Sequence, residues 1–443
     1  MCGAPPRRCR STPPRFSRPT SVCRLPKCRR CSSTASSEGI AMKGPLDGLR
    51  VLDMGWVMVG PVTGRYLADL GADVVKLESS RRVDPLRTLG PFKDGKPGLE
   101  RSISYHNLNA GKRSLTVDIK DSRGREAILR LVEWADVLIE SFSPGVLDDL
   151  DLAYPVLKAR NPALIVASTS LLGQTGPHAR GTSGVGTMGA SMSGASLLLG
   201  WPGHAPCGTY GPWTDAIAPR FIVPSILAAL HRRRATGEGC HIDVAQAEAG
   251  IQFLSPAWYQ YAANGTVMER RGHAGSPLRV PHGIFRCAGQ DRWIALDGSD
   301  EAAWQALRTI VGGPLLDSKF DTLIGRLRGR QELENAISAW TISQQADELE
   351  RSLQSAGVPA HVVSNSNDLA HDPDLLDAHY CHIDDPIVGD AIVEGPRYRL
   401  GRTPERATRR GPRIGEHTQE ILRDLCGYDA AAIDELKAAG VLV

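Results

Sequence analysis

The feature that most constrains the fold is a regular alternation of strand-like and helix-like segments in the first half of the chain. It begins with a strand at 49–54, a helix opened by Gly60 and Pro61, and a second strand at 73–78. A strand, a helix and a second strand within about 30 residues imply parallel strands joined by a right-handed crossover. This opening segment therefore predicts an α/β sheet.

The alternation continues for about another ninety residues. Three further strands follow at 114–118, 136–139 and 163–168, with helices between them at 122–134 and 153–160. This arrangement predicts a doubly wound, Rossmann-like domain that binds its ligand at the carboxyl ends of the strands. Four loops should therefore line one crevice, those after Met54, Glu78, Ile139 and Ser168.

The length of the chain predicts more than one domain. A chain of 443 residues is too long for one simple core. We assign residues 45–255 to the large Rossmann-like domain and residues 256–390 to a smaller α+β domain. Residues 391–443 are predicted to form a C-terminal segment that returns to the large domain.

Residues 1–41 differ in composition from the rest of the chain. They contain eight Arg, one Lys, a single acidic residue, six Pro and five of the ten Cys. Three interpretations remain open: a start codon assigned too early, with Met42 as the natural start, an organellar transit peptide, or a disordered tail. Cys28 and Cys31 have the spacing of half a zinc site, but no second half follows, so we predict no metal site.

The overall composition is that of an ordinary enzyme-sized protein. The chain is 42% hydrophobic and 23% charged with a net charge of +3, which gives no argument for binding nucleic acid or a membrane. No apolar run approaches the roughly 18 residues that span a bilayer. The five cysteines outside the N-terminal segment are scattered singly, which is typical of a reduced protein. We expect a cytoplasmic location, or an organellar matrix if residues 1–41 are a transit peptide.

A stretch rich in glycine and small residues, 173–194, follows the strand at 163–168. Small residues let the backbone and a ligand approach each other closely. Between Gly181 and Gly194 the stretch contains no Asp, Glu, His, Cys or Lys. Residues 184–189 match GxGxxG by letter, but without the strand, helix and distant acidic residue of a dinucleotide site we do not predict one.

Eight short motifs, taken in order, resemble the class III (CaiB/BaiF) CoA-transferases. Each motif is weak alone, but eight in order are specific, and they cover the chain from about Pro45 to the C-terminus. They are 49–53 (LRVLD), 60–61 (GP), 70–78 (LGADVVKLE), 109–115 (NAGKRSL), 140–145 (ESFSPG), 173–177 (GQTGP), 236–239 (TGEG) and 415–418 (GEHT).

The resemblance implies a fold and an activity. The fold would be a Rossmann-like large domain with a small domain, and two chains would form an interlocked dimer. The usual reaction moves CoA from an acyl-CoA to a free carboxylic acid, and one branch racemises 2-methylacyl-CoA instead. Coenzyme A would then be a substrate and product, with no tightly bound cofactor.

The resemblance also implies a position for the catalytic nucleophile. In the family an Asp carboxylate attacks the thioester and forms covalent intermediates. Alignment of the family's small-residue motif on Ser193 and Gly194 places this position at Gly186, which has no carboxylate. Asp215 and Glu140 are weak candidates to replace it. Asp215 could equally cap a helix, and Glu140 matches a supporting acid of the family.

The CoA contacts are assigned mainly by the same resemblance. The candidate residues are Val57, Met58, Val59, Gly60, Arg81, Arg82, Asn109, Lys112, Arg113, Ser141 and Phe142. Two arginines of the family are replaced here by Ser79 and Asp149, and Arg81 and Arg82 lie close enough in sequence to replace the first. The alternatives are an exposed basic loop at 112–113 and a core position for Phe142.

Two hypotheses about function follow. In the first, the chain is the non-nucleophilic subunit of a heterodimer whose Asp-bearing paralogue supplies the chemistry. In the second, it is a stand-alone CoA-transferase that uses a different carboxylate, or a racemase-like enzyme. In either case Gly186, Met188 and Trp213 are predicted to line the acyl pocket, and neighbouring aromatic residues suggest a bulky acyl group.

Overall fold

The large domain is built on a parallel six-stranded sheet. The structure is a computed structural model that describes residues 44–273, 277–396, 398, 400 and 409–443, so the predictions for residues 1–41 lie outside the described residues. The strand order is β3-β2-β1-β4-β5-β6, with every pair parallel. The strands are β1 (Arg50–Asp53), β2 (Asp73–Glu78), β3 (Arg113–Thr116), β4 (Val137–Glu140), β5 (Ile165–Ser170) and β6 (Cys240–Ala245). This sheet confirms the predicted doubly wound α/β fold.

Helices cover both faces of this sheet. They are α1 (Val59–Asp69), α2 (Ile103–Leu108), α3 (Ser122–Trp134), α4 (Val146–Asp149), α5 (Tyr154–Arg160), α6 (Gly186–Met192), α7 (Ala195–Leu198), α8 (Trp213–Ile217), α9 (Pro219–Thr236), α10 (Gln246–Phe253) and α11 (Ser255–Asn264). One core packs α3 and α5 against one face, and a second core packs α1, α8 and α9 against the other.

A second, antiparallel sheet lies in the middle of the chain and has its own core around Trp304. Its strands are β7 (His282–Arg286), β8 (Trp293–Asp297) and β9 (Ala360–Val362). The helices of this region are α12 (Glu301–Val311), α13 (Leu323–Arg328), α14 (Arg330–Thr341) and α15 (Ala346–Ser355). Short 3-10 helices occur at Pro85–Thr88, Lys93–Gly95, Gly313–Leu316 and Ser318–Phe320.

The C-terminal part of the chain packs back onto the first sheet. It contains α16 (Ser366–His371), α17 (Pro373–His379), the antiparallel pair β10 (Tyr380–Asp385) and β11 (Gly389–Glu394), α18 (Thr418–Asp424) and α19 (Ala430–Ala438). The hydroxyl of Thr418 accepts a 3.0 Å hydrogen bond from the backbone N–H of Thr116, and Ile421 and Leu422 are buried in the first core. The exact domain boundaries at 255 and 390 stay predictions.

Helix α3 shows how the sequence specifies these elements. Asp121 caps its N-terminus by accepting a hydrogen bond from the N–H of Arg123. Ala127, Ile128 and Leu131 recur at helical spacing, and all three are buried against the sheet. Gly124 lies in the first turn of the helix, and glycine is required there because a Cβ would lie 2.1 Å from the carbonyl oxygen of Asp118.

One helical stretch is long and apolar enough, by length and composition alone, to cross a membrane. It is Trp213–Thr236, and 39% of its most apolar 18-residue window is buried inside the protein. We expected no membrane-spanning helix, because the sequence has no unbroken apolar run of that length. Ile217, Ile222 and Ile226 of this stretch pack in the second core, so packing against the sheet accounts for its apolar side chains.

Candidate functional site

A crevice of about 860 Å³ lies at the carboxyl edge of the six-stranded sheet. The strand order changes direction at β1, which has β2 on one side and β4 on the other. The loops that follow these strands diverge at such a point and leave room for a ligand. Residues from the loops after β1, β2, β3 and β4 line the crevice, including Trp56, Ser79, Lys120 and Phe142. Three of the four predicted loops, those after Met54, Glu78 and Ile139, therefore meet here.

The loop after β1 is held in a strained conformation at the crevice wall. Val57 has a φ of +61°, which a β-branched residue rarely adopts. Its N–H donates a 3.0 Å hydrogen bond to Asp84, whose other oxygen lies 3.0 Å from the Lys76 ammonium. Burial raises the pKa of Asp84, but the Lys76 charge and the hydrogen bonds from Lys76 and from the N–H groups of Leu86 and Val57 together outweigh burial and lower that pKa. A buried ion pair thus fixes the backbone of this loop.

Close backbone packing joins the loops after β1 and β4. A Cβ on Gly60 would lie 2.5 Å from the Cα of Gly55 and 3.2 Å from the hydroxyl of Ser141. The same hydroxyl accepts a 2.9 Å hydrogen bond from the N–H of Trp56. Of the predicted CoA contacts in this region, Val57 and Ser141 line the crevice, whereas Val59 is buried in the second core.

An aromatic wall and a basic rim border the crevice. Trp56 and Phe142 meet edge to face with ring centroids 6.0 Å apart, and the Arg82 guanidinium lies 5.1 Å from the Trp56 centroid. In the part of the chain that the structure describes, Arg82 has no acidic partner, whereas Arg81 is paired with Asp118. Arg82 is therefore the predicted arginine with a free charge at the rim.

Two further basic residues at the rim were missed by sequence reasoning. Lys120 and Arg125 follow β3 and line the crevice, and Arg125 pairs with Asp151 at 3.0 Å. The sequence could have indicated them through the end of strand β3, because the other crevice loops were predicted from the ends of their strands. Three acidic residues, Glu78, Asp118 and Asp149, also line the crevice.

The structure argues against CoA contacts by Lys112, Asn109 and Arg113. The Lys112 ammonium is buried and donates to Asp53 at 2.6 Å, the carbonyl of Pro61 at 2.8 Å and the side chain of Asn109 at 2.9 Å. These three bonds use all its protons, so none remains for a phosphate. Arg113 lies at the amino end of β3, the edge opposite to the crevice, and pairs with Asp73 at 2.6 Å. The alternative of an exposed basic loop is also wrong for Lys112, which lies in the core.

The position predicted for the nucleophile is closed by packing. Gly186 begins α6, and its N–H donates a 3.1 Å hydrogen bond to the Asp215 carboxylate while its carbonyl accepts one from Thr214 at 3.2 Å. A Cβ at this position would lie 2.7 Å from the carbonyl carbon of Pro212 and 2.8 Å from an Asp215 oxygen. Real Cβ atoms are essentially never found this close to other atoms. Helix α8 therefore fills the space where a side chain would begin.

Asp215 and Glu140, the two candidate carboxylates, are both buried. Burial raises the pKa of Asp215 to about 6, although the N–H of Gly186 and the Gln246 side chain oppose this. Burial likewise raises the pKa of Glu140 to about 7, against hydrogen bonds from Ser168 and the N–H of Phe142. The Phe142 bond is 2.8 Å long and ties Glu140 to the crevice loop. Asp215 instead holds α6 on α8.

The predicted acyl-pocket residues come together but do not line the crevice. Gly186 and Met188 lie on α6, and Trp213 begins α8 with its ring edge against Phe253, 5.8 Å between centroids. Helices α6, α8 and α10 pack on one another, and the residues lining the crevice belong to other elements. Within a single chain, the crevice and this helix cluster are separate regions.

No group of three or more His, Cys, Asp and Glu side chains in the described ranges could hold a metal ion. The arrangement consists of a crevice with an aromatic wall and a basic rim, and a packed glycine position. The side chains present can bind an anionic, aromatic ligand, and Glu140, a carboxyl of raised pKa, lies next to the crevice residues Ser141 and Phe142.

Comparisons with known proteins give a consistent result. A family model described as CoA-transferase family III matches residues 46–418. The succinyl-CoA–D-citramalate CoA-transferase of Chloroflexus aurantiacus is 31% identical over 401 residues, which cover 90% of this chain and 98% of that protein. The succinyl-CoA–L-malate CoA-transferase alpha subunit of Chloroflexus aurantiacus is 33% identical over 403 residues, 90% of this chain and 92% of that protein. The crystal structure of a CAIB/BAIF family protein from Brucella suis has a TM-score of 0.78 and 32% identity, over 86% of this chain and 100% of that one.

Proposed function

Since this chain belongs to CoA-transferase family III, we propose that it binds an acyl-CoA in its crevice and acts as the subunit without a nucleophile in a two-chain CoA-transferase. The family transfers CoA between acyl-CoA thioesters and carboxylic acids. The observation that carries the finer assignment is the packing of Gly186, which leaves no room for a catalytic side chain.

The crevice has the chemistry that an acyl-CoA requires. Nucleotide phosphates are recognised by Arg and Lys, and an adenine ring stacks on aromatic or guanidinium planes. Arg82 and Lys120 supply positive charge at the rim, and Trp56 and Phe142 supply aromatic surface. The volume of about 860 Å³ lies within the range of sites that bury a large small-molecule ligand.

The transfer reaction needs a carboxylate that this chain does not supply at the expected place. A carboxylate must attack the thioester carbonyl, expel CoA thiolate and carry the acyl group as a mixed anhydride until the thiolate returns. Gly186 offers only backbone, and Asp215, which lies nearest to it, already accepts the Gly186 N–H. A second chain with Asp at the corresponding position would complete the reaction.

A second chain would also cover a large exposed apolar surface. Helix α11 has no buried residue, and Trp258, Tyr259 and Tyr261 on it are 59%, 62% and 52% exposed, next to Phe253 at 57%. Contiguous aromatic surface of this kind marks a protein interface. An interlocked partner fits this surface, and the Chloroflexus relative named as an alpha subunit supports a two-component assembly.

One observation favours a second candidate, a stand-alone transferase that uses Glu140. A carboxylate with a pKa of about 7 is a stronger nucleophile than an ordinary one and is still partly ionised at neutral pH. Its side chain lies at the carboxyl end of β4, beside the crevice residue Ser141. Racemisation has no comparable support, because Val185 and Gly186 supply no acid or base.

The experiment that separates the two candidates is intact-mass analysis during turnover. The chain is purified alone and together with an Asp-bearing paralogue, incubated with a panel of acyl-CoAs, and treated with hydroxylamine or borohydride. Hydroxylamine converts an activated carboxyl group of the enzyme to a hydroxamate, and borohydride reduces it to an alcohol. We expect the corresponding mass change on the paralogue and none on this chain. An adduct on this chain that disappears in Glu140→Gln, but persists in the matched Asp215→Asn, would establish the stand-alone enzyme instead.

A further inference from the structure

A second cavity, of about 290 Å³, lies beside the crevice on the side of β5 and β6. Ser143, in the loop after β4, lines both the cavity and the crevice, so the two are neighbours across one loop. The cavity is also lined by residues of α4, the start of α5 and the loop after β5. Neither the proposed CoA contacts nor the packed Gly186 cluster uses this space.

One end of the cavity is a row of polar side chains on three adjacent strands. Glu140 and Ser168 are register partners on β4 and β5, and His241 projects from the same face of β6. The Ser168 hydroxyl lies 2.8 Å from Nε2 of His241 and also hydrogen-bonds Glu140. Tyr154 stacks on the imidazole with ring centroids 5.0 Å apart, which fixes the ring. This end offers both donors and acceptors to a hydroxyl group.

The opposite wall carries a single positive charge. The Arg180 guanidinium lies against the backbone of Gly145, where a Cβ would be only 3.2 Å from its central carbon. Gly145 has a φ of +91°, so both its conformation and this contact require glycine. Among the residues that the structure describes, no acid pairs with Arg180. An exposed guanidinium without an acidic partner at the cavity wall is suited to a carboxylate.

We propose that this cavity binds a small hydroxy acid, with its carboxylate on Arg180 and its hydroxyl on the row formed by Glu140, Ser168 and His241. If the proposed function is correct, this molecule is the acceptor acid, and Ser143, which lines both spaces, places it beside the crevice proposed to bind the acyl-CoA. Only the role of acceptor acid rests on the proposed function, and the binding of a hydroxy acid in this cavity does not depend on it.

The charges in the cavity favour a ligand with one carboxylate over a ligand with two. Asp148 also lines the cavity, and Asp243 lies next to the polar row on β6. Burial lowers the pKa of His241, against the attraction of Asp243, so its ring is neutral at pH 7 and cannot balance a second anion. A dicarboxylate would therefore place its second charge near acidic side chains. A hydroxy monocarboxylate meets a hydrogen-bonding end instead.

The test is calorimetric titration of the full chain with 2-hydroxybutyrate, butyrate and succinate, with and without CoA. We expect 2-hydroxybutyrate to bind roughly tenfold more tightly than either of the others. Arg180→Gln should weaken that binding by about tenfold or more, and Ser168→Ala should reduce it to the affinity of butyrate. Arg232→Gln, an exposed arginine at the far end of α9, is the matched control and should change nothing.

The outcomes are distinct. Equal affinities for 2-hydroxybutyrate and butyrate, an unaffected Arg180→Gln, or no binding with or without CoA would each overturn the proposal. Thermal melting of each variant shows that it is folded, and Arg180→Lys, which keeps the charge, should recover part of the binding. If the hydroxy acid binds but neither chain forms an acyl adduct, the cavity proposal stands and the proposed transfer function fails. If adducts form but no hydroxy acid binds, the transfer function stands and the cavity proposal fails.

Discussion

The crevice and the α6–α8 cluster occupy the same domain but are built in opposite ways. The crevice is open, and its loops are fixed by buried ion pairs while its rim keeps charges available, as at Arg82. The cluster is closed, and the backbone of Gly186 is bonded at both ends by α8. One region is therefore open to a ligand, whereas the other excludes even a methyl group. Under the proposed function, this chain binds the acyl-CoA and leaves the covalent chemistry to its partner.

The largest expected effect tests whether buried Lys112 has a structural role. Lys112→Met leaves the buried Asp53 carboxylate without its partner and should lower the free energy of unfolding by about 3–5 kcal/mol. Lys120→Met, at the exposed rim, should lower it by less than about 0.5 kcal/mol. Urea unfolding measures both. If Lys112→Met were stable and weakened CoA binding more than Lys120→Met, Lys112 would be a ligand contact after all.

The next effect tests whether the cluster is closed. Gly186→Asp would force a Cβ against Pro212 and Asp215 and bring two carboxylates together, so it should cost about 3 kcal/mol of unfolding free energy. Gly208→Asp is the matched control, because a Cβ on Gly208 meets nothing within 4 Å. Denaturant unfolding compares the two. A Gly186→Asp protein as stable as the control, and carrying an acyl adduct, would show that the position is open.

A third effect separates the two buried carboxyls by pH. The folded pKa of Glu140, about 7, is above its ordinary value of 4.5, so its protonated form stabilises the fold at low pH and that stability is lost as the pH rises through 7. The contribution is roughly 3 kcal/mol. Glu140→Gln should therefore flatten the fall in stability between about pH 4.5 and about pH 7. Asp215→Asn should act at lower pH, because the folded pKa of Asp215 is about 6.

The measurement is a series of unfolding curves from pH 4 to about pH 8 for the three proteins. Parallel curves for the native chain and Glu140→Gln above pH 6 would show that Glu140 does not titrate there. Its proposed use as a reserve nucleophile would then lose its support.

The smallest effect tests whether Arg82, at the rim of the crevice, contributes to CoA binding. Arg82→Gln should weaken acetyl-CoA binding about tenfold, or about 1.4 kcal/mol, because one phosphate contact and the stacking over Trp56 are lost. The unfolding free energy should stay within about 0.5 kcal/mol of the native value. Arg232→Gln serves as the control for charge alone. Calorimetric titration checks both variants, and equal affinities would remove Arg82 from the site.

The sheet could be predicted from the sequence because its signals are local. The strand Asp73–Glu78 and the helix Ser122–Trp134 have the predicted bounds, since an apolar run after Gly71 and a capped amphipathic repeat need no distant information. The crevice followed from the strand order that such units imply. Trp56 was missed because only the fold shows that its ring faces Phe142.

The rest depends on contacts between residues far apart in the chain. The stretch 184–194 has weak helix propensity, and α6 forms because Thr214 and Asp215 bind the backbone of Gly186. Lys112 looks like a phosphate ligand until Asp53, 59 residues earlier, is seen to hold its ammonium. Local patterns therefore predicted the elements, and tertiary hydrogen bonds decided which polar side chains are available.

The most direct test of the central claim is made on the chain alone, under one condition. A saturating acyl-CoA is titrated into the purified chain by calorimetry, and the same sample is then analysed by intact mass after hydroxylamine. The account predicts saturable binding that Arg82→Gln weakens, together with an unmodified mass. A hydroxamate left by hydroxylamine on a carboxyl group of this chain, or the absence of any binding, would contradict it.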